Sequence, residues 1–212
     1  MSRMLKLLVL TGLVSLCAVP FASAAPKTTK PTAKTMSTTS TATAEPDTSC
    51  PTVTPTPIFS SWGDTSLYFL AAGGSMENPA YWPGATFVAD NDSYRLAGAG
   101  TKALRLVAGA SATSSWTCQG AAYPTMRFMV RNVGAATAKL DVFMHIWGVA
   151  TGVRLATITA GPTWTPSPIV SVPTSLLPDG ITLSGIKVSF VASGTGADFR
   201  VDNLFVDPRS RG

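Results

Sequence analysis

The chain carries one histidine, three cysteines and few acids, and each shortage closes off a class of chemistry. With His145 as the sole imidazole and no cluster of free thiols, a zinc centre is disfavoured. A hydrolase built on serine or cysteine has one candidate base and no Gly-x-Ser-x-Gly elbow to go with it. The sequence also lacks a phosphate-cradling glycine loop with its lysine and a dinucleotide fingerprint. The 11 acidic residues include Asp64, Glu77, Asp90, Asp92 and Asp141, yet no spacing pairs two of them as a glycosidase requires. Nor does a long apolar run occur: Leu7 to Val19 falls short of the roughly 20 residues of a spanning helix. No stretch holds a helical apolar period for a dozen positions, which argues against a helical fold.

What is present at the start is an export signal. Arg3 and Lys6 precede the short apolar run, and Ala22-Ser23-Ala24 supplies small residues for cleavage, so residues 1–24 read as a signal peptide. Cys17 follows Leu16 rather than a small residue and leaves with the signal instead of carrying a lipid. Cleavage lowers Lys plus Arg from 16 to 14 against 11 acids, a net charge of +3, without the basic stripe of a nucleic-acid binder. Residues 25–57 are mostly Thr, Ser, Ala, Pro and Lys, which bury too little to offset the entropy of ordering. This segment is expected to be a disordered tether giving reach at a cell wall. Cys50 and Cys118 remain in an oxidising compartment with one possible pairing, so a disulfide is expected.

Residues 58–212 are expected to form one domain. Gly and Pro punctuate short β-type runs such as "KALRLVA", "TMRFMVRNV", "KLDVFMHIWGV", "VRLATITA", "IKVSFVA" and "FRVDNLFVD". About eight such strands at this spacing indicate an all-β antiparallel sandwich or barrel. The period of two assigns faces. Leu140, Val142, Met144 and Ile146 point to the core, as do Met126, Phe128 and Val130, and Ile186, Val188 and Phe190. Phe143, His145 and Trp147 point outward on one strand, and Arg127, Met129 and Arg131 on the strand before it. An aromatic platform with a few polar groups is the design of a small-ligand site. Arg127, Phe143, His145 and Trp147 are therefore candidate ligand-binding residues. The competing reading is that the segment with Trp62, Tyr81 and Trp82 folds over this face as a minor core. Tyr94, Trp116 and Trp164 sit beside Gly, Ser or Pro and read equally well as loop anchors.

The order Gly74-Ser75-Met76-Glu77-Asn78, Tyr81-Trp82, "GTKALRL", "PTMRFMVRN", "LDVFMHI", Trp164, "IKVSFVA" and "FRVDNLFVD" resembles the β-jelly-roll carbohydrate-binding modules with a galactose-binding-like fold. The preceding "SSWGDTSLYFLAAGG" is similar to short secreted proteins of high-GC Gram-positive bacteria with no assigned activity. The first resemblance implies a two-sheet jelly roll and a structural Ca²⁺ held by Glu77 and Asp202 with main-chain carbonyls, chemistry that suits an oxygen-seeking cation. Read from the residues alone, Asp202 equally caps a turn or pairs with Arg200, and Asp207 ends a strand. The functional expectation is a secreted, monomeric, non-catalytic module binding a cell-envelope or environmental glycan. The alternative is an envelope-associated structural or protein-binding domain with no sugar ligand.

Overall fold

Leu140, Val142, Met144 and Ile146 are buried while Lys139, Asp141, Phe143 and His145 between them keep some exposure, which is the signature of a strand with one face on a core. The structure is a computed structural model and describes residues 54–116, 125–146, 151–172 and 186–207, all within the unit Thr43–Gly212. The signal peptide, most of the tether, Cys50, Cys118 and Trp147 lie outside the described residues.

Among the described residues the chain is all-β, with two single-turn 3-10 segments, Ser60–Trp62 and Pro79–Tyr81. The strands are β1 (Phe69–Leu70), β2 (Phe87–Ala89), β3 (Lys102–Val107), β4 (Ser111–Thr113), β5 (Thr125–Asn132), β6 (Lys139–Ile146), β7 (Val153–Ile158), β8 (Thr165–Pro166), β9 (Val170–Ser171), β10 (Ile186–Ser193) and β11 (Asp198–Asp207). They form two antiparallel sheets. One has seven strands, ordered β2-β3-β11-β5-β8 with β1 also on β11 and β9 also on β5. The other has four, ordered β4-β10-β6-β7.

The expected inward sets meet between the sheets. Phe128 from the larger sheet packs edge-on against Phe190 from the smaller at 4.8 Å, and Trp82 stacks on Phe190 at 5.7 Å. The indole N–H of Trp82 donates to the Gly73 carbonyl at 2.9 Å, so its one polar atom is satisfied inside the core. Fully burying such side chains is worth about 1.5–3 kcal/mol each, which makes this aromatic stack a main source of stability.

The last strand is bent rather than regular. Its register against β5 shifts between Asp202 and Phe205, a β-bulge, and Asn203 sits at φ 51°. The loop at Ala71–Gly74 pairs with the bulge: Ala71 N–H donates to Leu204 O and Leu204 N–H to Gly74 O, both at 2.9 Å. A Cβ on Gly74 would fall 2.4 Å from Leu204 O, so only glycine permits this approach. At the other end, Thr56 bridges Tyr68, which ties residues assigned to the tether to the folded part and starts the described fold before Ile58.

Candidate functional site

The two outer faces of the sandwich have opposite fates. On the seven-stranded sheet, Phe59, Tyr68, Met129, Trp164 and Phe205 form a second buried cluster with Trp62 packed against it. Phe59 makes edge contacts with Tyr68 at 5.1 Å and Phe205 at 5.5 Å. Arg127 is part of this cover. Its guanidinium lies 4.8 Å over the Phe59 ring, pairs with Asp64 at 2.8 Å and donates to the Ser167 carbonyl at 3.0 Å. Tyr68 Oη and Ser66 N–H also donate to the Asp64 carboxylate, at 2.7 and 3.1 Å. Burial raises the Asp64 pKa, but the hydrogen bonds from Tyr68, Ser66 and Arg127 outweigh it and bring the carboxyl down to about 2.

Arg127 therefore does not share a face with Phe143 and His145. The sequence reading set β5 and β6 side by side, whereas the connection between them crosses from the larger sheet to the smaller. The competing reading, a minor core over the basic face, holds for Trp62. Trp82 goes to the main core instead, and Tyr81 is exposed. Arg131 on the same sheet packs 5.3 Å over the Trp164 ring and donates to Asp90 at 2.5 Å.

Phe143 and His145 lie on the outer face of the four-stranded sheet, which is grooved. A cavity of about 390 Å³ there is lined by Ser111, Thr113, Phe143, His145, Thr151, Gly152, Ser189 and Val191. Pairing with β10 sets Ser189 opposite Phe143 and Lys187 opposite His145, while β7 brings Arg154 opposite Phe143. His145 Nε2 and the Ser189 hydroxyl are 2.7 Å apart, and Ser189 reaches the Thr113 hydroxyl at 2.8 Å. Burial, with the positive charge of Lys187, lowers the His145 pKa, so the ring is neutral at physiological pH. Gly152 allows the approach of β7, since a Cβ there would fall 2.6 Å from His145 Cε1.

Residues that the sequence reading did not assign to the site complete it. The Lys187 ammonium sits 4.5 Å over the Trp116 ring. Alternation had already turned Lys187 and Ser189 outward, but only strand pairing brings them beside Phe143 and His145. Trp116, which sits beside Ser115, had read equally well as a loop anchor.

The predicted metal residues gather at the bulge. Asp202 is fully buried and accepts the main-chain N–H groups of Asp92 and Asn203 at 2.9 and 2.8 Å, so it does cap a turn. Arg200 pairs with Asp198 and Asp90 and leaves Asp202 without it. Burial, with added repulsion from Asp92 and Glu77, pushes the Asp202 carboxyl up to about 7 against the pull of those N–H bonds. Glu77 accepts the N–H groups of Thr101 at 2.7 Å and Lys102 at 2.8 Å. Met76, Arg95 and Asn203, the described non-glycine residues at positive φ, all belong to the segments that present these acids. Carboxylates gathered around the buried Asp202 fit a hard, oxygen-ligated cation in charge and donor type. Among the described residues no group of three or more His, Cys, Asp or Glu is placed to hold a metal together, so such an ion would draw on Glu77, Asp202 and main-chain carbonyls.

No protein-family model matches the chain, and no curated protein matches it. Solved structures similar to it include a single-site mutant of the carbohydrate-binding module CBM29-2, at 15% identity over 68% of this chain and 94% of that one, with a TM-score of 0.43. A family 11 carbohydrate-binding module from Clostridium thermocellum, in complex with a β-1,3-1,4-mixed-linked tetrasaccharide, is 15% identical over 68% of this chain and 97% of its own, with a TM-score of 0.43. The CBM22-1 and GH10 modules of a C. thermocellum xylanase, complexed with xylohexaose, are 16% identical over 68% of this chain and 29% of theirs, with a TM-score of 0.47.

Proposed function

We propose that the chain is an exported, monomeric, non-catalytic module that binds a cell-envelope or environmental glycan on the outer face of its four-stranded sheet. The observation that carries this is the groove of about 390 Å³ in which the Phe143 ring lies beside the linked hydroxyls of Thr113 and Ser189 and the imidazole of His145. An aromatic flanked by oriented polar groups is what a pyranose needs, with its apolar face on the ring and its hydroxyls on the hydrogen-bonding side chains. Arg127 drops out of the binding set because it is spent on holding the cover of the other sheet.

The neighbourhood of His145 favours binding over hydrolysis. Ser189 lies on β10 with β4 on one side and β6 on the other, so the surrounding main-chain N–H groups are committed to the two ladders. Among the described residues, those ladder N–H groups are therefore not available as oxyanion donors to its hydroxyl.

The rest of the proposal comes from the sequence. Residues 1–24 direct export, the tether gives reach at a cell wall, Cys50 and Cys118 form the disulfide, and Ca²⁺ on Glu77 and Asp202 braces the bulge. The test is retention of the mature chain on insoluble chitin, cellulose, arabinogalactan and peptidoglycan, beside Phe143→Ala and Trp147→Ala. Retention of the wild type and release of Phe143→Ala is the expected result. Flow-through of the wild type on every matrix would overturn the glycan reading in favour of a structural or protein-binding domain.

A further inference from the structure

Charge is unevenly divided around the groove. Asp141 is the one acidic residue in the strands of the four-stranded sheet, and it stands against Lys139, Arg154 and Lys187. Its carboxylate is already engaged, accepting the Thr157 hydroxyl and lying 3.8 Å from the Arg154 guanidinium. At that distance, and with the Arg154 side chain 62% exposed, the pair is weak and leaves the guanidinium open to another anion.

The positions of the cations matter as much as their number. Arg154 is the direct cross-strand partner of Phe143 on β7, and Lys187 is its diagonal neighbour on β10. Direct partners have Cβ atoms about 5 Å apart and diagonal ones about 7 Å, so the strand pairing sets one cationic residue on each flank of Phe143. The Lys187 ammonium is steadied on the Trp116 face at 4.5 Å, which holds it at the groove's edge. The neutral His145 adds a hydrogen-bonding group without a competing charge. A sugar stacked on Phe143 thus has cations on two sides and no uncommitted acid within the sheet.

Resting on the glycan reading above, we propose that the groove selects an acidic polysaccharide, one whose sugars carry carboxylates, with Arg154 and Lys187 binding the carboxylate and Phe143 the ring. Recognition of this kind is charge-assisted and bidentate at Arg154. It weakens with salt because the cations face solvent.

The experiment uses polygalacturonate and its fully methyl-esterified form, which share a backbone and differ in charge. The full mature chain is run in affinity electrophoresis on each, with Lys187→Gln and Arg154→Gln, whose fold is confirmed by circular dichroism. The free acid should bind roughly tenfold tighter than the ester, and either substitution should remove most of that difference, as expected for losing one hydrogen bond to a charged group. Equal affinity for acid and ester, or unchanged binding of the acid by both variants, overturns the proposal. Preference for dextran sulfate over polygalacturonate overturns the carboxylate assignment. If neutral matrices hold the chain in a Phe143-dependent way while polygalacturonate does not, the acidic selectivity falls and the glycan reading stands. If neither neutral nor acidic glycans are bound, both fall.

Discussion

Replacing Asp64 with Asn removes the charge that clamps the cover segment onto the seven-stranded sheet and tests whether Arg127 is structural. The Asp64 and Arg127 side chains are 10% and 11% exposed, so solvent screens their interaction little. In the folded chain the Asp64 carboxyl titrates at about 2 instead of 3.8. A downward shift of nearly two pH units corresponds to about 2 kcal/mol. Leaving the guanidinium buried with only the Ser167 carbonyl and the Phe59 ring adds to the loss, since breaking a buried pair costs about 3–5 kcal/mol when one charge is left behind. A total near 3 kcal/mol is expected at pH 7, or roughly 6–12 °C in Tm for a domain of this size.

The sign with pH follows from the depressed value. The contribution of Asp64 is fully present above pH 3.8 and is lost as the pH falls through about 2. Urea denaturation of wild type and Asp64→Asn between pH 2 and 7 should therefore give curves that are far apart at neutrality and converge in acid. Parallel curves, or an Asp64→Asn variant as stable as wild type at pH 7, would refute the assignment of Arg127 to the cover.

Other outcomes follow from the same geometry. Calcium should raise Tm and EDTA lower it, and Asp202→Asn should abolish the difference; melting curves unmoved by both additions would remove the ion from the bulge. Gly152→Ala should leave Tm within a few degrees while weakening glycan retention several-fold, because the new Cβ displaces the His145 ring from Ser189; unchanged retention would mean that the imidazole position does not matter. Trp82→Ala should cost about 3–5 kcal/mol, as truncation of large core aromatics does; a loss below 1 kcal/mol in urea denaturation would contradict its place against Phe190.

The long strands were legible in sequence because each buries one face against the opposing sheet. β3, β5, β6 and β10 begin within one residue of the runs that announced them, and the residues that alternation turned inward on β5, β6 and β10 are buried. The short strands were not legible. β8 and β9 span two residues each, too few for any period, and Ser111–Thr113 offers one apolar side chain. The end of β11 lost its alternation because the cover segment buries its outer face too, so every residue from Val201 to Asp207 is buried.

For the site, alternation gave the direction of each side chain but not its neighbour. Period two correctly turned Arg127 and Phe143 outward, yet outward from different sheets, because nothing in residues 133–138 announces a crossover. Likewise Asp92 and Asp202 meet across 110 positions through a main-chain N–H, a contact that no local pattern encodes. Trp116 and Lys187 come together in the same way, through pairing of β4 with β10.

The most direct test of the binding face is side-chain and amide NMR of the mature chain titrated with soluble chito-, cello-, arabinogalacto- and galacturono-oligosaccharides. The account predicts that at least one of them shifts Phe143, His145, Arg154 and Ser189 and leaves Phe59, Arg127 and Met129 unmoved. Shifts confined to the Phe59 and Arg127 side, or none with any oligosaccharide, would contradict it.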